Sequence, residues 1–255
     1  MIEIQAVSKS YRAQTVVDQV SFHVVPGETL VLLGGSGSGK TTTLKMINRL
    51  IEPSSGTILV GKRPVQEIAP HELRRKIGYV FQRLGLFPHL TVAENIGITP
   101  RLLGWEAARI RARVASLLEL VELDPASISA RRPHELSGGQ AQRVAVARAL
   151  AAEPPVLLLD EPFGALDPIT RERLQSSFCR IRRKLGLTAV FVTHDVVEAM
   201  VVGDRVGVMR DGRLLQTGSV AEIVSNPVDS YVKELISAPV RQATLVTTML
   251  GRQGS

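Results

Sequence analysis

Residues 34–41 read Gly-Gly-Ser-Gly-Ser-Gly-Lys-Thr, and the run Glu28–Leu33 before them is predicted to be a buried strand. The stretch fits the pattern Gly-x-x-x-x-Gly-Lys-[Ser/Thr] in the strand-then-helix context that the pattern requires. The glycines permit positive φ, so successive N–H groups turn inward, and the helix that begins near Lys40 adds its positive end. The stretch therefore predicts a loop that binds polyphosphate. A Gly/Ser-rich linker is the alternative, but linkers seldom lie between a buried strand and a helix.

The candidate contacts to a bound triphosphate lie in this loop and just after it. Lys40 is predicted to reach the β- and γ-phosphates and to take part in catalysis, and the hydroxyl of Thr41 is predicted to ligate Mg²⁺. The residues predicted to contact the nucleotide here are Gly34, Gly35, Ser36, Gly37, Ser38, Gly39, Lys40, Thr41 and Thr42.

Residues 136–143, Leu-Ser-Gly-Gly-Gln-Ala-Gln-Arg, predict a second helix start that binds an anion. Serine is a good N-cap, and apolar residues recur at helical spacing in the stretch that follows. One nucleotide held in the first loop does not need two such helix ends from the same chain. The economical arrangement is two chains head to tail, each offering this helix start to the γ-phosphate held by the other. The residues concerned are Ser137, Gly138, Gly139 and Gln140. The alternative is an ordinary capped helix after a glycine turn.

Two apolar strands are predicted to end in chemically active side chains. Val156–Leu159 leads to Asp160 and Glu161, as expected of a central parallel strand whose carboxyl end opens on a ligand crevice. Asp160 is predicted to hold Mg²⁺ through water, and Glu161 to polarise the attacking water. His194 follows the apolar run Thr188–Thr193, where an imidazole can orient the γ-phosphate and the water. A lone histidine is more often structural, but its place at a strand end beside the other motifs favours a catalytic role.

Three further residues complete the predicted site. Gln82, after the short strand Ile77–Phe81, is predicted to contact Mg²⁺ and the water, although an isolated glutamine is most often a surface residue. Asp167 is predicted to touch the partner chain, and its alternative is an ordinary Asp-Pro turn. Tyr11 is predicted to stack on adenine, and its alternative is plain packing.

Taken together, these motifs resemble the ATP-binding subunit of an ATP-binding cassette (ABC) transporter. The resemblance covers roughly residues 1–240, and the motifs come in the family's order. In the family's terms they are the Walker A loop (34–41), the Q-loop glutamine (82), the signature (136–140), Walker B (156–161), the D-loop (165–168) and the H-loop histidine (194). The combination is far more specific than any one motif.

The resemblance implies both the fold and the assembly. The expected fold is α/β, a P-loop NTPase (RecA-like) core with an antiparallel β subdomain and an inserted α-helical subdomain. The ABC ATPase domain is expected over 1–240, with core and β layer at about 1–90 and 153–240 and the helical subdomain at about 91–152. Two subunits, a homodimer or a pair with a similar ATPase, are expected to sandwich ATP and Mg²⁺ and to drive transmembrane permease subunits. A solute-binding protein is expected to take part indirectly, and the subunit is expected to lie at the cytoplasmic face of the cell membrane.

Finer similarity indicates a subfamily. The stretches 41–51, 73–82 and 85–96 resemble the ATPases of osmoprotectant importers for glycine betaine, choline or carnitine, and the first stretch carries most of that weight. The Phe-Pro-His segment also occurs in polyamine, sulfate and iron importers, which stay open as alternatives together with an amino-acid importer. Several osmoprotectant members carry paired CBS modules after the ATPase. Only about fifteen residues follow Arg241, so regulation through such modules is not expected.

Other classes of function remain as competitors. They are an exporter subunit, a soluble ABC-type ATPase acting in DNA repair or on ribosomes, and a nucleotide-binding adaptor without turnover. The chain shows neither a long coiled-coil insertion nor a second cassette, and the predicted catalytic residues are all in place. These features favour a transporter ATPase that does not bind nucleic acid. An exporter subunit stays open, although the separate chain and the Phe-Pro-His segment favour import.

Composition agrees with this interpretation. The chain has 255 residues, is 44% hydrophobic and carries a formal net charge of +7, with basic residues spread along its length. No uncharged apolar run approaches the roughly 18 residues of a spanning helix, and the N-terminus lacks a secretion signal, so a peripheral association through permease subunits is expected. One cysteine, Cys179, excludes an internal disulfide.

Two segments outside the motifs also carry predictions. The stretch 82–89 is expected to couple the nucleotide site to the permease, with Leu86 and Phe87 exposed in a docking groove. Short helices are expected near 220–225 and 229–237, and the weak pattern of 241–255 predicts a mobile tail.

Overall fold

A six-stranded sheet positions the predicted site. The computed structural model describes residues 1–164 and 166–251, and within these residues the strands form this sheet and a second, four-stranded one. The strands are β1 (Ile2–Tyr11), β2 (Gln14–Val24), β3 (Thr29–Leu33), β4 (Ser55–Val60), β5 (Arg63–Pro64), β6 (Ile77–Val80), β7 (Val156–Asp160), β8 (Thr188–Thr193), β9 (Arg205–Arg210) and β10 (Arg213–Ser219).

The large sheet has the order β10-β9-β3-β8-β7-β6. Its strands from β9 to β6 are parallel, and β10 pairs antiparallel with β9 at the edge. β3, β7 and β8 are buried at every position because helices cover both faces of a parallel sheet. Since β3, β8 and β7 are neighbours, their carboxyl ends meet at one edge of the sheet. The residues that follow these three strands are therefore brought together.

The second sheet is antiparallel, with the order β2-β1-β4-β5. Its inner face packs against the large sheet in one apolar cluster that includes Ile4, Val20 and Ile58 of this layer and Leu30 and Leu158 of the large sheet. Register shifts interrupt the pairing of β1 with β2. The layer places β2 beside the phosphate loop, where the backbone of Val16 approaches Gly39.

Helices lie on both faces of the large sheet. They are α1 (Lys40–Ile47), α2 (Pro70–Arg75), α3 (Val92–Leu102), α4 (Ala107–Leu120), α5 (Pro125–Ile128), α6 (Gly138–Leu150), α7 (Pro168–Leu185), α8 (Val196–Val202), α9 (Val220–Ser225) and α10 (Ser230–Gly251). Helices α3 to α6 pack on one another, and we call residues 92–150 the helical unit. The predicted α/β fold, a P-loop NTPase core with an antiparallel layer and inserted helices, is confirmed.

One prediction about the elements is wrong. The last helix does not end near 237 but continues to Gly251, through most of the segment that was expected to be a mobile tail. Among the residues of this helix whose side chains the structure describes, Ile236 is the last buried one, which agrees with a periodic signal that fades before the helix ends. Pro239 lies inside it, where the ring removes one backbone hydrogen bond without ending the helix. Residues 252–255 lie outside the described part of the chain.

Candidate nucleotide site

The predicted phosphate loop connects β3 to α1. Gly39 is the N-cap of α1 with φ +96°, and a Cβ there would lie 2.8 Å from the carbonyl oxygen of Val16. Only glycine fits this position, because it tolerates the left-handed backbone and leaves room for the neighbouring strand. The loop therefore presents backbone N–H groups and a helix N-terminus to the same space.

Lys40 lies folded into this loop. Its Nζ donates to the carbonyl oxygens of Gly34 and Gly35, both at 2.8 Å, and to Ser38 Oγ at 3.2 Å. The residue is only 5% exposed. Burial lowers the pKa of the Lys40 ammonium, and the nearby carboxylates of Glu161 and Asp160 oppose that shift. The cation is thus held at the loop by neutral carbonyls that an anionic phosphate can replace.

Thr41 and Asp160 meet beside Lys40. Thr41 Oγ1 donates to Asp160 Oδ1 at 2.7 Å, which joins the start of α1 to the end of β7. Asp160 is 3% exposed, and burial raises the pKa of its carboxyl while the Thr41 hydrogen bond opposes that shift. A hydroxyl and a carboxylate supply two adjacent oxygen ligands, the type that Mg²⁺ prefers. Among the described residues no group of three or more His, Cys, Asp or Glu side chains is arranged to hold a metal. The two oxygens fit an ion whose remaining ligands are phosphate and water.

Glu161 lies between two side chains that were predicted to act with it. Gln82 Nε2 donates to Glu161 Oε2 at 3.1 Å, and His194 Nδ1 lies 3.3 Å from Glu161 Oε1. The Glu161 side chain is 19% exposed and that of His194 is 60% exposed, so both remain open to solvent. Each of these three residues lies just beyond the carboxyl end of a strand: Gln82 follows β6, Glu161 follows β7 and His194 follows β8. The carboxylate is consequently held from two sides.

These two clusters share one cavity. It has a volume of about 210 Å³ and is lined by Val16, Ser36, Gly37, Ser38, Gly39, Lys40, Thr41, Thr42, Gln82 and Glu161. Val16 was missed by the sequence reasoning, because an apolar strand residue gives no signal of a ligand site. His194 and Asp160 border the cavity through their contacts to Glu161 and Thr41.

The second predicted anion-binding helix start faces elsewhere. Ser137 accepts a hydrogen bond from the N–H of Gln140, whose side chain in return accepts from the N–H of Ser137, so the two form a capping box. Ser137 and Gly138 are exposed and do not line the cavity of their own chain. A Cβ on Gly139 would lie 2.9 Å from Thr170, so this helix start lies against the beginning of α7.

Asp167 and Tyr11 also lie outside the cavity. Asp167 is the N-cap of α7 and accepts from the N–H of Thr170 at 3.0 Å, which places it beside the capped start of α6. Ala165, which precedes it in the predicted D-loop, lies outside the described residues. Tyr11 is 48% exposed at the end of β1, and Lys9 Nζ lies 5.0 Å from the centre of its ring.

A polar cluster behind His194 was not predicted. Arg171 on α7 forms an ion pair with Asp195 at 3.3 Å, and Asp195 caps α8 by accepting from the N–H of Glu198. Glu198 is 4% exposed, accepts from Gln175 Nε2 at 3.2 Å, and burial raises the pKa of its carboxyl. The cluster fixes the turn after β8 that carries His194. The order His-Asp before an apolar helix is a capping signal that was available in the sequence.

Comparison with known families decides what this arrangement is. The family described as ABC transporter matches residues 17–164, from β2 to just past Walker B. The chain belongs to the ABC transporter family. The match includes the Walker A loop, the Q-loop glutamine, the signature and Walker B, which are the segments that form the cavity and the exposed capped helix.

Relatives within the ABC family are close in sequence. The chain is 50% identical over 237 residues, 92% of its length, to the glycine betaine/carnitine/choline transport ATP-binding protein OpuCA of Bacillus subtilis. It is also 50% identical over 232 residues, 91% of its length, to the osmoprotectant import ATP-binding protein OsmV of Salmonella typhimurium. It spans 62% and 61% of those two proteins.

A solved ABC cassette has the same fold. The ATP-binding cassette MJ0796, in a dimeric post-hydrolysis state bound to ADP and Pi, superposes with a TM-score of 0.78 at 33% identity over 86% of this chain and 98% of that one. Over the part of this chain that the structure describes, no helix combines the length and apolar character needed to cross a bilayer.

Proposed function

We propose that this chain is the ATP-hydrolysing subunit of an ABC importer, working as a head-to-tail dimer that drives a membrane permease. The observation that carries the proposal is the convergence of three strand ends on one cavity, where Glu161 is held by Gln82 and His194 within reach of the phosphate loop. A nucleotide-binding adaptor has no need of a carboxylate held by two partners at that place.

Each residue in the cavity has a distinct task. Lys40 exchanges its loop carbonyls for the β- and γ-phosphates, and the loop N–H groups hold the remaining oxygens. Glu161 accepts a proton from the attacking water, while Gln82 and His194 keep its carboxylate in place. Thr41, Asp160 and Gln82 are the residues that would hold Mg²⁺, which when bound neutralises charge developing on the phosphates. The fit of these oxygen donors supports Mg²⁺ as cofactor alongside ATP.

The dimer is proposed because the cavity of one chain lacks the second helix start that is predicted to bind the γ-phosphate. The capped start of α6 is exposed and turned away from the chain's own cavity, although its serine and glycines suit a γ-phosphate. A second copy turned head to tail brings its Ser137 to Gln140 segment to this cavity. Asp167 lies beside that segment and is placed to touch the partner. Tyr11 stacks on adenine from its exposed position on β1.

A groove between the large sheet and the helical unit is the docking surface for the permease. It has a volume of about 310 Å³, and its apolar lining includes Phe81, Phe87, Ile98 and Leu102. Phe87 is exposed there, as expected, whereas Leu86 packs inward against the core. The groove supports peripheral attachment at the cytoplasmic face of the membrane through permease subunits, with a solute-binding protein acting indirectly.

The proposed cargo is an osmoprotectant such as glycine betaine, carnitine or choline. The support is the 50% identity to the OpuCA and OsmV proteins, which are named for such solutes. The cassette contacts ATP and the permease rather than the cargo. Importers of polyamines, sulfate or iron therefore remain the alternatives, to be separated by identifying the solute bound in the native complex.

The test is Glu161→Gln, measured by phosphate release with and without detergent-solubilised permease. Removing the base should lower turnover by about a thousandfold, within the range for a lost catalytic group, while ATP still binds and an ATP-bound dimer accumulates. Glu172→Gln makes the same chemical change on the exposed side of α7 and should hydrolyse ATP like the parent. Parental turnover in Glu161→Gln would remove Glu161 from the mechanism.

A further inference from the structure

The turn that carries His194 is bonded on both sides of the histidine. Thr193 Oγ1, before it, accepts a hydrogen bond from the N–H of Asp195 at 3.0 Å, which closes the turn. The carboxylate of Asp195, after it, accepts from the N–H of Glu198 at 3.1 Å and caps α8. The His194 side chain is 60% exposed, so packing does little to fix its ring. The direction of the imidazole therefore depends on how firmly the residues beside it are held.

Arg171 on α7 holds the residue after His194. Its Nη1 forms an ion pair with Asp195 Oδ2 at 3.3 Å, and its Nη2 donates to the carbonyl oxygen of Leu166 at 3.1 Å. Leu166 comes shortly before α7, and Asp195 is the N-cap of α8. Because the guanidinium is a planar fork, two bonds fix both its place and its direction. Arg171 thus fastens the turn to the start of α7.

Gln175, one turn further along α7, supports the residue before His194. Its Nε2 donates to Glu198 Oε1 at 3.2 Å, and Glu198 is also hydrogen bonded to Thr193. Gln175 and Glu198 are 8% and 4% exposed, so these bonds lie out of solvent, where hydrogen bonds are strong. Residues four apart lie on the same face of a helix. One face of α7 therefore supports the turn on both sides of the histidine, through Arg171 and Gln175.

A second pair of the same kind joins α7 to the far end of α8. Arg182 on α7 pairs with Asp204, which follows α8. The Arg182 side chain is 7% exposed and that of Arg171 is 30% exposed, so Arg182 is the more deeply buried of the two. Each arginine has a buried Nε without a hydrogen-bond partner among the described residues. The two pairs therefore differ in depth and in whether they touch the His194 turn.

We propose that Arg171 and Gln175 of α7 are positioning residues for His194. They hold the two sides of its turn, so that the imidazole faces Glu161 in one orientation. When either support is removed, the exposed ring is free to turn away from the cavity although the fold persists. This inference rests on the proposed ATPase function, and it identifies residues outside the cavity on which turnover depends.

Phosphate release and thermal unfolding are compared in Arg171→Ala and in the matched control Arg182→Ala. Arg171→Ala should lower kcat by about tenfold to a hundredfold with a KM for ATP within about twofold, because the phosphate loop is intact while His194 is misplaced. Arg171→Lys keeps a charge beside Asp195 and should recover part of that loss. Arg182→Ala should lower Tm at least as much as Arg171→Ala, since Arg182 is more deeply buried, and should keep kcat within about twofold.

A second measurement observes the imidazole directly. The chain has five histidines, so a histidine-labelled sample gives five ring signals by NMR, and His194→Ala identifies the signal of His194. The nucleotide-free parent and Arg182→Ala should show this signal at the same chemical shift. In Arg171→Ala, and in Gln175→Met, which keeps the size of the side chain but removes its donor, the signal should move and broaden because the ring takes more than one orientation.

Two kinds of result would overturn the inference. A His194 signal unchanged by Arg171→Ala would remove the role of Arg171, and one unchanged by Gln175→Met would remove that of Gln175. Losses of kcat that follow the losses of Tm equally in Arg171→Ala and Arg182→Ala would make both arginines ordinary stabilising residues. A parent without ATP turnover would refute the proposed function instead, and the His194 signal would still decide whether α7 positions the ring.

Discussion

The backbone conformation of Glu161 sets the direction of its side chain. Its φ is +45°, in the left-handed region that a non-glycine residue rarely adopts, and its N–H donates to the carbonyl oxygen of Val192 at 3.0 Å. This bond continues the pairing of β7 with β8 by one residue while the chain turns away. The turn directs the carboxylate out of the strand and into the cavity, so local strain of about 1 kcal/mol serves to place the proposed base.

The negative charge of Asp160 lowers the stability of the protein when no nucleotide or metal is bound. Burial raises the pKa of its carboxyl, so its contribution to the stability of the nucleotide-free protein is present below its ordinary pKa and is lost as pH rises through the raised value. We expect Asp160→Asn to stabilise the nucleotide-free protein at pH 7 by about 1 kcal/mol, or about 3 °C in Tm, while ATP turnover falls at least about a hundredfold.

Thermal unfolding of parent and variant between pH 4 and 8 measures the predicted change in stability, and phosphate release at pH 7 measures the predicted loss of turnover. The Asn side chain still accepts from Thr41 Oγ1, so the gain should come from the lost charge alone and should shrink toward pH 4. A variant that is less stable than the parent at pH 7 would show that the Asp160 charge supports the fold rather than opposing it.

Which site residues the sequence could predict depends on where their signal lies. Lys40, Thr41, Asp160 and Glu161 sit in patterns that fix both residue type and neighbouring element, and they share the cavity or its border. Arg171 had no such signal, because an arginine on a helix is usually exposed. Its place depends on a contact with Asp195, 24 residues later in the chain. Long-range contacts of that kind are absent from local patterns.

At the scale of elements, the order of the strands decides the site. β3 and β8 pair with Leu33 opposite Thr193, and β7 and β8 pair with Asp160 opposite Val192, so the three strands end at nearly the same level. The apolar runs predicted that these strands exist. They did not predict that β8, which comes last of the three in sequence, lies in the middle, because buried parallel strands have similar patterns on both faces.

Two helices with the same cap offer a matched test of the signature. Ser137 begins α6 and Ser219 begins α9, each in a capping box with the third residue of its helix. Replacing either serine by alanine should cost about 1 kcal/mol of stability, because the same bond is lost. We expect only Ser137→Ala to abolish the ATP-bound dimer of the Glu161→Gln chain, as followed by gel filtration with light scattering. If Ser219→Ala disrupted that dimer equally, helix stability rather than phosphate contact would explain the effect.

At the scale of the whole molecule, one chain carries both halves of the proposed site on separate surfaces. The cavity lies beyond β3, β7 and β8, whereas the capped start of α6 is exposed beside α7. Sequence reasoning could infer a head-to-tail pair from the presence of two anion-binding helix starts. It predicted a docking groove at residues 82–89, but it did not predict that Ile98 and Leu102 of α3 line the groove, because those contacts join segments that are distant in the sequence.

The net charge of the chain leads to a prediction about the proposed dimer. Each copy carries a formal net charge of +7, spread over its surface, so two copies repel as they approach. Screening weakens that repulsion over roughly 10 Å at 0.1 M salt and more strongly above it, whereas phosphate contacts sealed inside the interface are screened much less. At saturating ATP, raising NaCl from about 0.05 to 0.5 M should therefore tighten the Glu161→Gln dimer by about threefold to tenfold, measured as its Kd by sedimentation.

A charge-reduced chain separates this effect from other actions of salt. Lys62 and Arg111 are exposed, and replacing both by glutamate lowers the formal net charge from +7 to +3, since each change subtracts two. That chain should dimerise more tightly at low salt and respond less to NaCl, because less repulsion remains to be screened. The prediction is contradicted if the dimer weakens as salt rises in both chains alike. That result would mean that attraction between exposed charges holds the two copies together. The phosphate contacts would then contribute less to closure than proposed.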